Sequence, residues 1–499
     1  MKNSNEQCIN KIKYYLLLLF VIIQPVLDIH YFYTEKVVNI LGFSPVTIIR
    51  VIIVAILSVL TLITLRNKKT WMLITGYLLF ILVYAMFHII HTKNFNTLDP
   101  NNLGYSYLGE IFYIARMLIP LAIIIITIHA KISRKDYENA IKIILASISL
   151  TIVLSNILEI SLASYGTGII KQNIFSWFTN GYEIYKYSDL ASRGLFNSAN
   201  QISALLILLL PIMLVIYTYQ QNAKNLLIVI LTLISMIMLG TKVALYGAII
   251  SITIYLLALI FMKVILKEDL FTKKIFGILV ISILIITSLY NISPAINRPS
   301  LEENYGNKKE AVQINTLKEY QENNEKDKVI EFIKNNYKLA KIKDEFIVES
   351  YPYQYDPEFW IDVFEMPLIK RRDWRLLELK MHQRVMDIND NKNDKWLGIG
   401  FTRSEHLFTL ERDFIAQYYS MGLWGVILLL GPYVLTILAC VIKMLMKFKE
   451  KFNLRNSITC FTIVFILVSS VSSGNVMDCL TINIILGFII GKLTEEIFT

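Results

Sequence analysis

Apolar runs long enough to cross a membrane recur along almost the whole chain, and they limit its possible folds more than any other feature. A helix of roughly 20 apolar residues is about 30 Å long, which matches the hydrocarbon core of a bilayer. We count about twelve such runs, near residues 14–33, 45–65, 70–90, 111–129, 141–160, 201–219, 225–241, 243–262, 275–293, 421–443, 456–473 and 477–492. The pattern predicts an all-α integral membrane protein with about 12 transmembrane helices.

The composition supports this class of fold. Of the 499 residues 55% are hydrophobic and only 18% are charged, and the mean hydropathy is +0.52. Soluble proteins carry about 25% charged residues, and a soluble fold needs polar side chains to cover its surface. The composition therefore excludes a cytosolic enzyme, a disordered chain and a disulfide scaffold.

The basic residues predict the orientation of the chain in the membrane. With the N-terminus inside, 21 of the 49 Lys and Arg residues lie at cytoplasmic rims, whereas seven, Arg50 among them, lie in the short outer segments. This bias follows the positive-inside rule, so both termini of a multi-pass cell-membrane protein are expected to be cytoplasmic. The net charge of +10 then faces the anionic inner leaflet, and no nucleic-acid partner is expected.

One long interruption divides the helical series. The stretch from about 294 to 410 lies between the ninth and tenth predicted helices, and the parity of the spans makes it extracytoplasmic. It retains aromatic and apolar residues, as in YPYQYDPEFW, which favours a folded cap rather than a linker. We expect transmembrane helices 1–9 in residues 1–293, a loop or cap domain in 294–410, and helices 10–12 in 411–499.

The sequence suggests no metal site, disulfide or cofactor. Its four cysteines, Cys8, Cys440, Cys460 and Cys479, lack the paired spacing of a zinc site or a disulfide framework. The outer segments also lack a DxD-like motif.

Asp28, His30 and Arg116 are polar residues within or beside predicted spans. A charge in a bilayer is costly, and it marks either a paired structural contact or a functional site. Burial between helices would explain all three residues. The functional alternative makes Arg116 part of a polar cavity beneath the outer loop.

Two short motifs near the outer ends of helices contain groups that bind phosphates and sugars. Lys242 lies in LGTKVALYG, where it either extends to the interface or binds a phosphate beside the N-terminus of the eighth predicted helix. Arg193, Asn197 and Asn200 lie in SRGLFNSAN before the sixth predicted helix. The arginine suits a diphosphate, and the two amides suit sugar hydroxyls.

The long loop contains a predicted helical run, IKRRDWRLLELKMHQRVMDI. Its basic segment, KRRDWR, places Arg371, Arg372 and Arg375 around Trp374. Such a run is usually solvated surface. The functional alternative is bidentate recognition of a pyrophosphate or a sugar acid, for which arginine is better suited than lysine.

The segment WLGIGFTRSEHLFTLERDFIAQYYSMGLWG joins a glycine turn to the tenth predicted helix. His406, Glu411 and Asp413 lie in it. The two acids would be favourable at a helix N-terminus. A carboxylate or an imidazole here would also suit a general base that acts on an acceptor hydroxyl.

Together these motifs resemble the O-antigen ligase and Wzy-type polymerase family of bacterial envelope glycan assembly. The resemblance rests on RGLFNSAN, LGTK, the loop arginine Arg372 or Arg375, the WLGIGF turn and ERDFIAQYYSMGLWG. The predicted topology is also similar to that of the family. The resemblance covers most of the chain, and its specificity comes from the order and the membrane side of short motifs.

The resemblance implies a metal-independent glycosyltransferase that uses an undecaprenyl-diphosphate-linked oligosaccharide at the outer face of the cytoplasmic membrane. It implies that Lys242 and Arg372 or Arg375 contact the donor diphosphate, and that His406 activates the acceptor. The expected partners are this lipid-linked donor, a saccharide or wall acceptor, the bilayer and a chain-length regulator.

The predicted function is polymerisation of a cell-surface polysaccharide. A ligase that transfers finished glycan to a wall or lipid acceptor is an open alternative. A flippase or exporter of lipid-linked oligosaccharide is a second alternative, and a peptidoglycan polymerase is a third. The polar groups gather at the outer face rather than along a path through the spans, which favours an enzyme over an exporter.

Overall fold

The computed structural model describes residues 2–34, 44–166, 168–179, 190–298, 319–321, 323, 325–408, 410, 412–471, 473–474 and 476–499. Within these ranges the longer helices are α1 (Lys2–Ile22), α2 (Pro45–Thr64), α3 (Lys68–Lys93), α4 (Tyr107–Arg116), α5 (Leu118–Ala130), α6 (Arg134–Ile157), α7 (Ala199–Tyr219), α8 (Ala223–Met238), α9 (Lys242–Ile265), α10 (Lys273–Tyr290), α11 (Lys326–Asn336), α12 (Pro357–Glu365), α13 (Trp374–Asn389), α14 (Phe401–His406), α15 (Asp413–Met446), α16 (Leu454–Ser469) and α17 (Leu480–Phe498). The described residues contain isolated β-bridges but no strand.

In the described part of the chain, eight helices are long and apolar enough to cross a membrane. They are Pro45–Thr64, Lys68–Lys93, Asn102–Ala130, Arg134–Ile157, Ala199–Tyr219, Lys242–Ile265, Lys273–Arg298 and Asp413–Met446. The apolar helices α8 and α16 are shorter. The all-α membrane class is thus confirmed, whereas the count of about 12 spans, the position of the large loop and the orientation remain predictions.

Polar side chains set the starting points of several apolar helices. An N-cap oxygen accepts a hydrogen bond from one of the first free N–H groups of a helix, and Ser, Thr and Asn do this best. The caps of this kind include Ser133, Ser198, Asn222, Thr241, Thr272 and Asn453. Thr241 is the threonine of LGTK, and its hydroxyl accepts from the N–H of Ala244, so this motif fixes where α9 begins.

The chain forms two compact units, which we describe separately. Unit 1 contains Met1–Asn67, Ile119–Tyr305 and Pro432–Thr499. Helix α7 is its centre, because 94% of its apolar stretch is buried and it contacts α6, α8, α9, α16 and α17.

Unit 2 contains Lys68–Leu118 and Gly306–Gly431. Its largest hydrophobic core surrounds Trp360, which is fully buried and donates its indole N–H to the Tyr351 carbonyl at 2.9 Å. Arg384 on α13 holds both carboxylate oxygens of Asp356, the N-cap of α12, at 2.7 and 3.0 Å. A bidentate pair of this kind fixes the orientation of the two helices. The division of the chain at residues 293 and 410 remains a prediction.

One local prediction needs correction. The sequence suggested a single helical run through IKRRDWRLLELKMHQRVMDI, but the structure contains a short turn, Leu368–Arg371, followed by α13. Asp373 lies between them, and its carboxylate accepts from the N–H of Leu376 at 3.3 Å. This side-chain cap gives α13 its own starting point, so the basic run spans a break rather than one helix face.

Candidate functional site

In unit 1 the structure brings RGLFNSAN and LGTK side by side. The N–H of Ser192 donates to the carbonyl of Met238 at 2.8 Å. The Tyr165 hydroxyl donates to the carbonyl of Gly240 at 2.9 Å, and the Ser203 hydroxyl lies 2.8 Å from that of Thr241. These bonds hold the turn before α7 against the turn before α9, so two motifs that are about 40 residues apart in sequence form one local structure.

Arg193 lies in this local structure, and its guanidinium has no hydrogen-bond acceptor among the described residues. Its side chain is 8% exposed, its buried Nε has no hydrogen-bond acceptor, and none of its guanidinium N–H groups donates to any residue that the structure describes. Burial lowers the pKa of this guanidinium. A buried charge without a protein partner is costly, so Arg193 is the strongest candidate in unit 1 for binding an anion.

Lys242 is the exposed first residue of α9, directly after its Thr241 cap. Asn200 lies half-buried in the first turn of α7. Asn197 is already engaged, because its side-chain oxygen lies 3.0 Å from Nδ1 of His30. A role for Asn197 in sugar binding therefore remains a prediction. The alternative is a structural role, in which Asn197 holds His30.

Asp28 pairs inside the protein, as the structural interpretation expected. Its carboxylate lies 2.7 Å from Arg50, and both side chains are 2% exposed. Arg50 also donates to Gln24, Tyr33 and Thr481. The sequence analysis assigned Arg50 to an outer segment; that assignment is wrong, because the residue lies on α2 and its charge is neutralised there by Asp28.

In unit 2 the WLGIGF turn packs backbone against backbone on α15. The N–H groups of Ile399 and Gly400 donate to the carbonyls of Tyr419 and Ser420 at 2.8 and 3.0 Å. Gly398 has φ +79°, and a Cβ there would lie 2.3 Å from the Ser420 carbonyl oxygen. Helix α15 is itself broken opposite this turn at Gly422, where φ is 67° and ψ is −178°.

A buried Glu–His pair holds the other side of the turn. Glu110 accepts from the N–H groups of Phe401 and Thr402 at 2.9 and 2.8 Å, and His88 Nε2 lies 3.0 Å from its carboxylate. His88 Nδ1 lies 2.6 Å from the carbonyl of Leu397. A carboxylate at the N-terminus of α14 is favourable, and the pair therefore positions the segment that leads to His406.

His406 ends α14 and is about one-third exposed. Its Nε2 lies 3.9 Å from a carboxylate oxygen of Asp99, which accepts from the N–H groups of Asn101 and Leu103. The imidazole of His406 and the carboxylate of Asp99 are thus neighbours at a distance longer than a hydrogen bond. Catalytic contacts are often loose in unliganded enzymes, so this geometry is compatible with a general base.

The acidic start of α15 contains a residue that the sequence analysis did not select. Asp413 is the first residue of the helix and is buried, whereas Glu411 lies outside the described residues. One turn after Asp413, Gln417 is 2% exposed, and neither its amide oxygen nor its amide nitrogen has a hydrogen-bond partner among the residues that the structure describes. Buried amides are nearly always paired, so an unsatisfied one requires an explanation.

The other arginines that the sequence suggests as candidate binding residues lie in unit 2. Arg371 is buried and donates to the carbonyls of Met366 and Ala340, so it supports the fold. Arg372 and Arg375 are half-buried and lie on either side of the Asp373 cap. Arg116 is half-buried at the end of α4, with its guanidinium 5.2 Å from the Tyr113 ring.

Comparison with known families gives one decisive match. A family model described as "O-antigen ligase like membrane protein" matches residues 10–498. The chain belongs to this family. No individual curated protein matches it. Membership supports a role in envelope glycan assembly and a glycan transferase activity in general.

In this O-antigen ligase-like protein, sequence reasoning missed Asp99 and Gln417. Asp99 lies in a polar loop, and no local pattern relates it to a histidine about 300 positions later. Gln417 had a weak signal, because it lies one helical turn after Asp413 and therefore shares its helix face.

Within the described residues, no group of three or more His, Cys, Asp or Glu side chains is arranged to hold a metal ion.

His382 on α13 gives the protein a testable pH dependence. It is fully buried between the Glu378 carbonyl, 2.7 Å from Nδ1, and the Ser404 hydroxyl, 2.8 Å from Nε2. Burial lowers its pKa from 6.5 to about 4. The unfolded chain therefore takes up a proton near pH 6.5, whereas the folded chain does so only near pH 4. The free energy of unfolding should fall by about 3 kcal/mol across this interval.

The measurement is the Tm of the detergent-solubilised protein between pH 8 and pH 4. His382→Gln should lose this part of the pH dependence, because glutamine does not titrate. An unchanged pH profile in His382→Gln would contradict the assignment.

Proposed function

We propose that this chain is a membrane glycosyltransferase of envelope glycan assembly. It transfers an undecaprenyl-diphosphate-linked glycan onto a saccharide acceptor at the outer face of the cytoplasmic membrane, and so polymerises a cell-surface polysaccharide. One structural observation carries the proposal beyond family membership. Arg193, in the structure formed by RGLFNSAN and LGTK, is a buried guanidinium without a hydrogen-bond acceptor in the described part of the chain.

The donor diphosphate supplies the anionic oxygens that Arg193 lacks. Arginine presents five N–H donors in a planar fork, and this fork matches phosphate oxygens in a bidentate way. Lys242 is exposed at the start of α9 in the neighbouring turn, where an ammonium and free helix N–H groups suit a second phosphate oxygen. Arg372 or Arg375 remains a predicted contact of the donor diphosphate.

The reaction exchanges one C–O bond for another. The bond between the anomeric carbon of the donor sugar and the diphosphate oxygen breaks, and the lipid diphosphate leaves with the electron pair. The hydroxyl oxygen of the acceptor bonds to the anomeric carbon, and its proton passes to a base. Neutralisation of the leaving diphosphate by arginine and lysine lowers the barrier without a metal ion or a cofactor.

We propose His406 as the base, oriented by Asp99. A positioned base contributes about 10²–10⁴-fold to such a reaction. Glu411 and Asp413 are the alternative bases. A change in the pH profile of turnover in His406→Gln, but not in Asp413→Asn or Glu411→Gln, would separate these assignments.

Gln417 is proposed to bind the saccharide on the acceptor side. Its amide can donate and accept at once, which matches neighbouring sugar hydroxyls or an acetamido group. Asp413 lies one turn before it on the same face of α15. Asn200 is proposed to have a similar role for the donor sugar in unit 1, and Arg116 to belong to the polar lining in unit 2.

The decisive experiment is incubation of the purified protein with synthetic undecaprenyl-diphosphate repeat units, with EDTA and without any other protein. A ladder of longer lipid-linked glycans is expected. Transfer of a single glycan onto an added wall or lipid acceptor would indicate a ligase instead. Absence of product, together with passage of the lipid across vesicle bilayers, would overturn the enzyme proposal in favour of an exporter.

The donor site has a matched control in the chain. Lys242 and Lys273 are both exposed first residues of a helix, each directly after a threonine cap. Lys242→Gln should reduce turnover by about tenfold, because an exposed cation contributes roughly 1–2 kcal/mol to binding a phosphate. Lys273→Gln should have the turnover of the wild type. Equal turnover in both variants would remove Lys242 from the site.

A further inference from the structure

Two exposed tryptophans lie side by side in unit 2. Trp396 is the first residue of the WLGIGF turn, and Trp424 lies on α15 just after the break at Gly422. Their ring centroids are 6.2 Å apart, and the two residues are 48% and 45% exposed. A tryptophan buries about 150–250 Å² when it is covered, so its ring is costly to leave in water. Two neighbouring exposed rings therefore indicate a contact surface, which we call the tryptophan pair.

Helix α3 fixes the level of the tryptophan pair. The carbonyl of Leu397, the residue after Trp396, lies 2.6 Å from Nδ1 of His88. The carboxylate of Asp394, two residues before Trp396, lies 2.7 Å from Nε2 of His91. The first tryptophan of the pair is therefore level with the turn of α3 that runs from His88 to His91.

This turn of α3 lies one bilayer thickness from the other end of the helix. Helix α3 is long and apolar enough to cross a membrane, and only 17% of its apolar stretch is buried. Its exposed apolar side chains extend from Trp71 to Ile90. The 19 positions from Lys69 to His88 correspond to about 29 Å of helix, and the hydrocarbon core of a bilayer is about 30 Å thick. A bilayer with one boundary at Lys69 thus has its other boundary at the level of Trp396.

The polarity of the chain changes at this same level. Asn393 and Lys395, which precede the first tryptophan of the pair, are polar and exposed. Leu423 and Ile427, which lie beside the second tryptophan on α15, are apolar and exposed. An indole combines an apolar ring with one N–H donor, and tryptophan is enriched where hydrocarbon meets headgroups. A saccharide would need polar side chains beside both rings, whereas the exposed neighbours on α15 are aliphatic.

We infer that the tryptophan pair binds the lipid–water interface of the bilayer. The two rings contact the glycerol region and the upper acyl chains, and the two indole N–H groups supply donors for ester and headgroup oxygens. The WLGIGF turn is bonded to α15 beside the pair, so this contact sets the depth of the turn in the membrane. The inference does not depend on the proposed function.

The test measures the depth of each tryptophan in the full-length protein by fluorine NMR. The protein is labelled with 5-fluorotryptophan in phosphatidylcholine nanodiscs, and single Trp→Phe variants assign the resonances of its six tryptophans. One probe lipid carries a spin label near the headgroup, and a second carries it at the end of the acyl chain. The wild-type resonances of Trp396 and Trp424 should broaden at least about threefold more with the first lipid than with the second.

Trp374 is the matched control. It is as exposed as Trp424, but it lies at the start of α13, outside the membrane-crossing helices of the described residues. Its resonance should broaden with a soluble gadolinium chelate and with neither lipid. The fully buried Trp360 should respond to none of the three probes. Because the result is read from the wild type, a Trp→Tyr variant can assign any resonance for which the Trp→Phe variant does not fold.

Three results would overturn the inference. Broadening of the pair by the gadolinium chelate and by neither lipid would place it in water, as expected for a saccharide platform. Equal or stronger broadening by the second lipid would place the pair inside the hydrocarbon core. Protection of the pair from all three probes would indicate that a second copy of the chain covers it.

Discussion

Replacement of Gly422 by alanine is expected to destabilise the protein by more than about 3 kcal/mol and to abolish most of its folded yield. Gly422 breaks α15 with φ +67° and ψ −178°, a backbone conformation that is essentially restricted to glycine. A Cβ built there would lie 2.3 Å from the backbone nitrogen of Leu397 and 2.3 Å from the carbonyl oxygen of Trp396. Backbone atoms cannot move aside as the end of a flexible side chain can, so the two segments would have to separate.

That separation would propagate to the rest of the turn. The hydroxyl of Tyr84 donates to the Met421 carbonyl at 2.7 Å, next to the break. The N–H groups of Ile399 and Gly400 depend on the same stretch of α15, through their bonds to Tyr419 and Ser420. Loss of this packing would therefore displace α14 and with it His406.

Gly431 provides the matched control within the same helix. A Cβ at Gly431 meets nothing within 4 Å, so Gly431→Ala should be neutral or should stabilise the helix by up to about 1 kcal/mol. The measurement is the monodisperse fraction in size-exclusion chromatography and the Tm in detergent. A Gly422→Ala variant with the Tm of the wild type would show that the break in α15 is not required.

The sequence predicted the features of this protein that are local or periodic. Apolar runs predict membrane helices, and the LGTK motif lies, as predicted, beside the start of a helix, which its threonine caps. The two glycines of WLGIGF were read correctly as a turn, since both have positive φ. Each of these predictions uses only neighbouring residues, whose spacing along the chain determines which face they share.

Long-range pairing could not be predicted in the same way. Nothing near Glu110 indicates that it binds the backbone of Phe401 and Thr402, which are 291 and 292 positions away. Asp28 likewise gives no sign that its partner is Arg50 on the next helix. Such contacts depend on how the helices pack against each other, and no short motif in a single sequence predicts that packing. The distinction between an arginine that has a partner among the described residues and one that has none, on which the proposed donor site depends, is therefore a structural result.

That distinction predicts opposite outcomes for two buried arginines of unit 1. Arg50→Met should destabilise the protein by about 3–5 kcal/mol, because it leaves the carboxylate of Asp28 buried without its cation. Arg193→Met removes no hydrogen bond to any residue that the structure describes, so the Tm should stay unchanged or rise. The same substitution should reduce donor turnover by about 10²-fold, because two charge-assisted hydrogen bonds to a diphosphate contribute roughly 3 kcal/mol.

The two measurements, Tm and turnover per folded molecule, separate a binding residue from a structural one. Arg193→Lys retains the charge but not the planar fork, so its turnover should fall between those of the wild type and Arg193→Met. A lower Tm with normal turnover in Arg193→Met would show that the arginine supports the fold. In proteins a buried charge normally has a partner of opposite charge. A buried guanidinium that lacks such a partner in the free protein is therefore strongly stabilised by an anionic ligand.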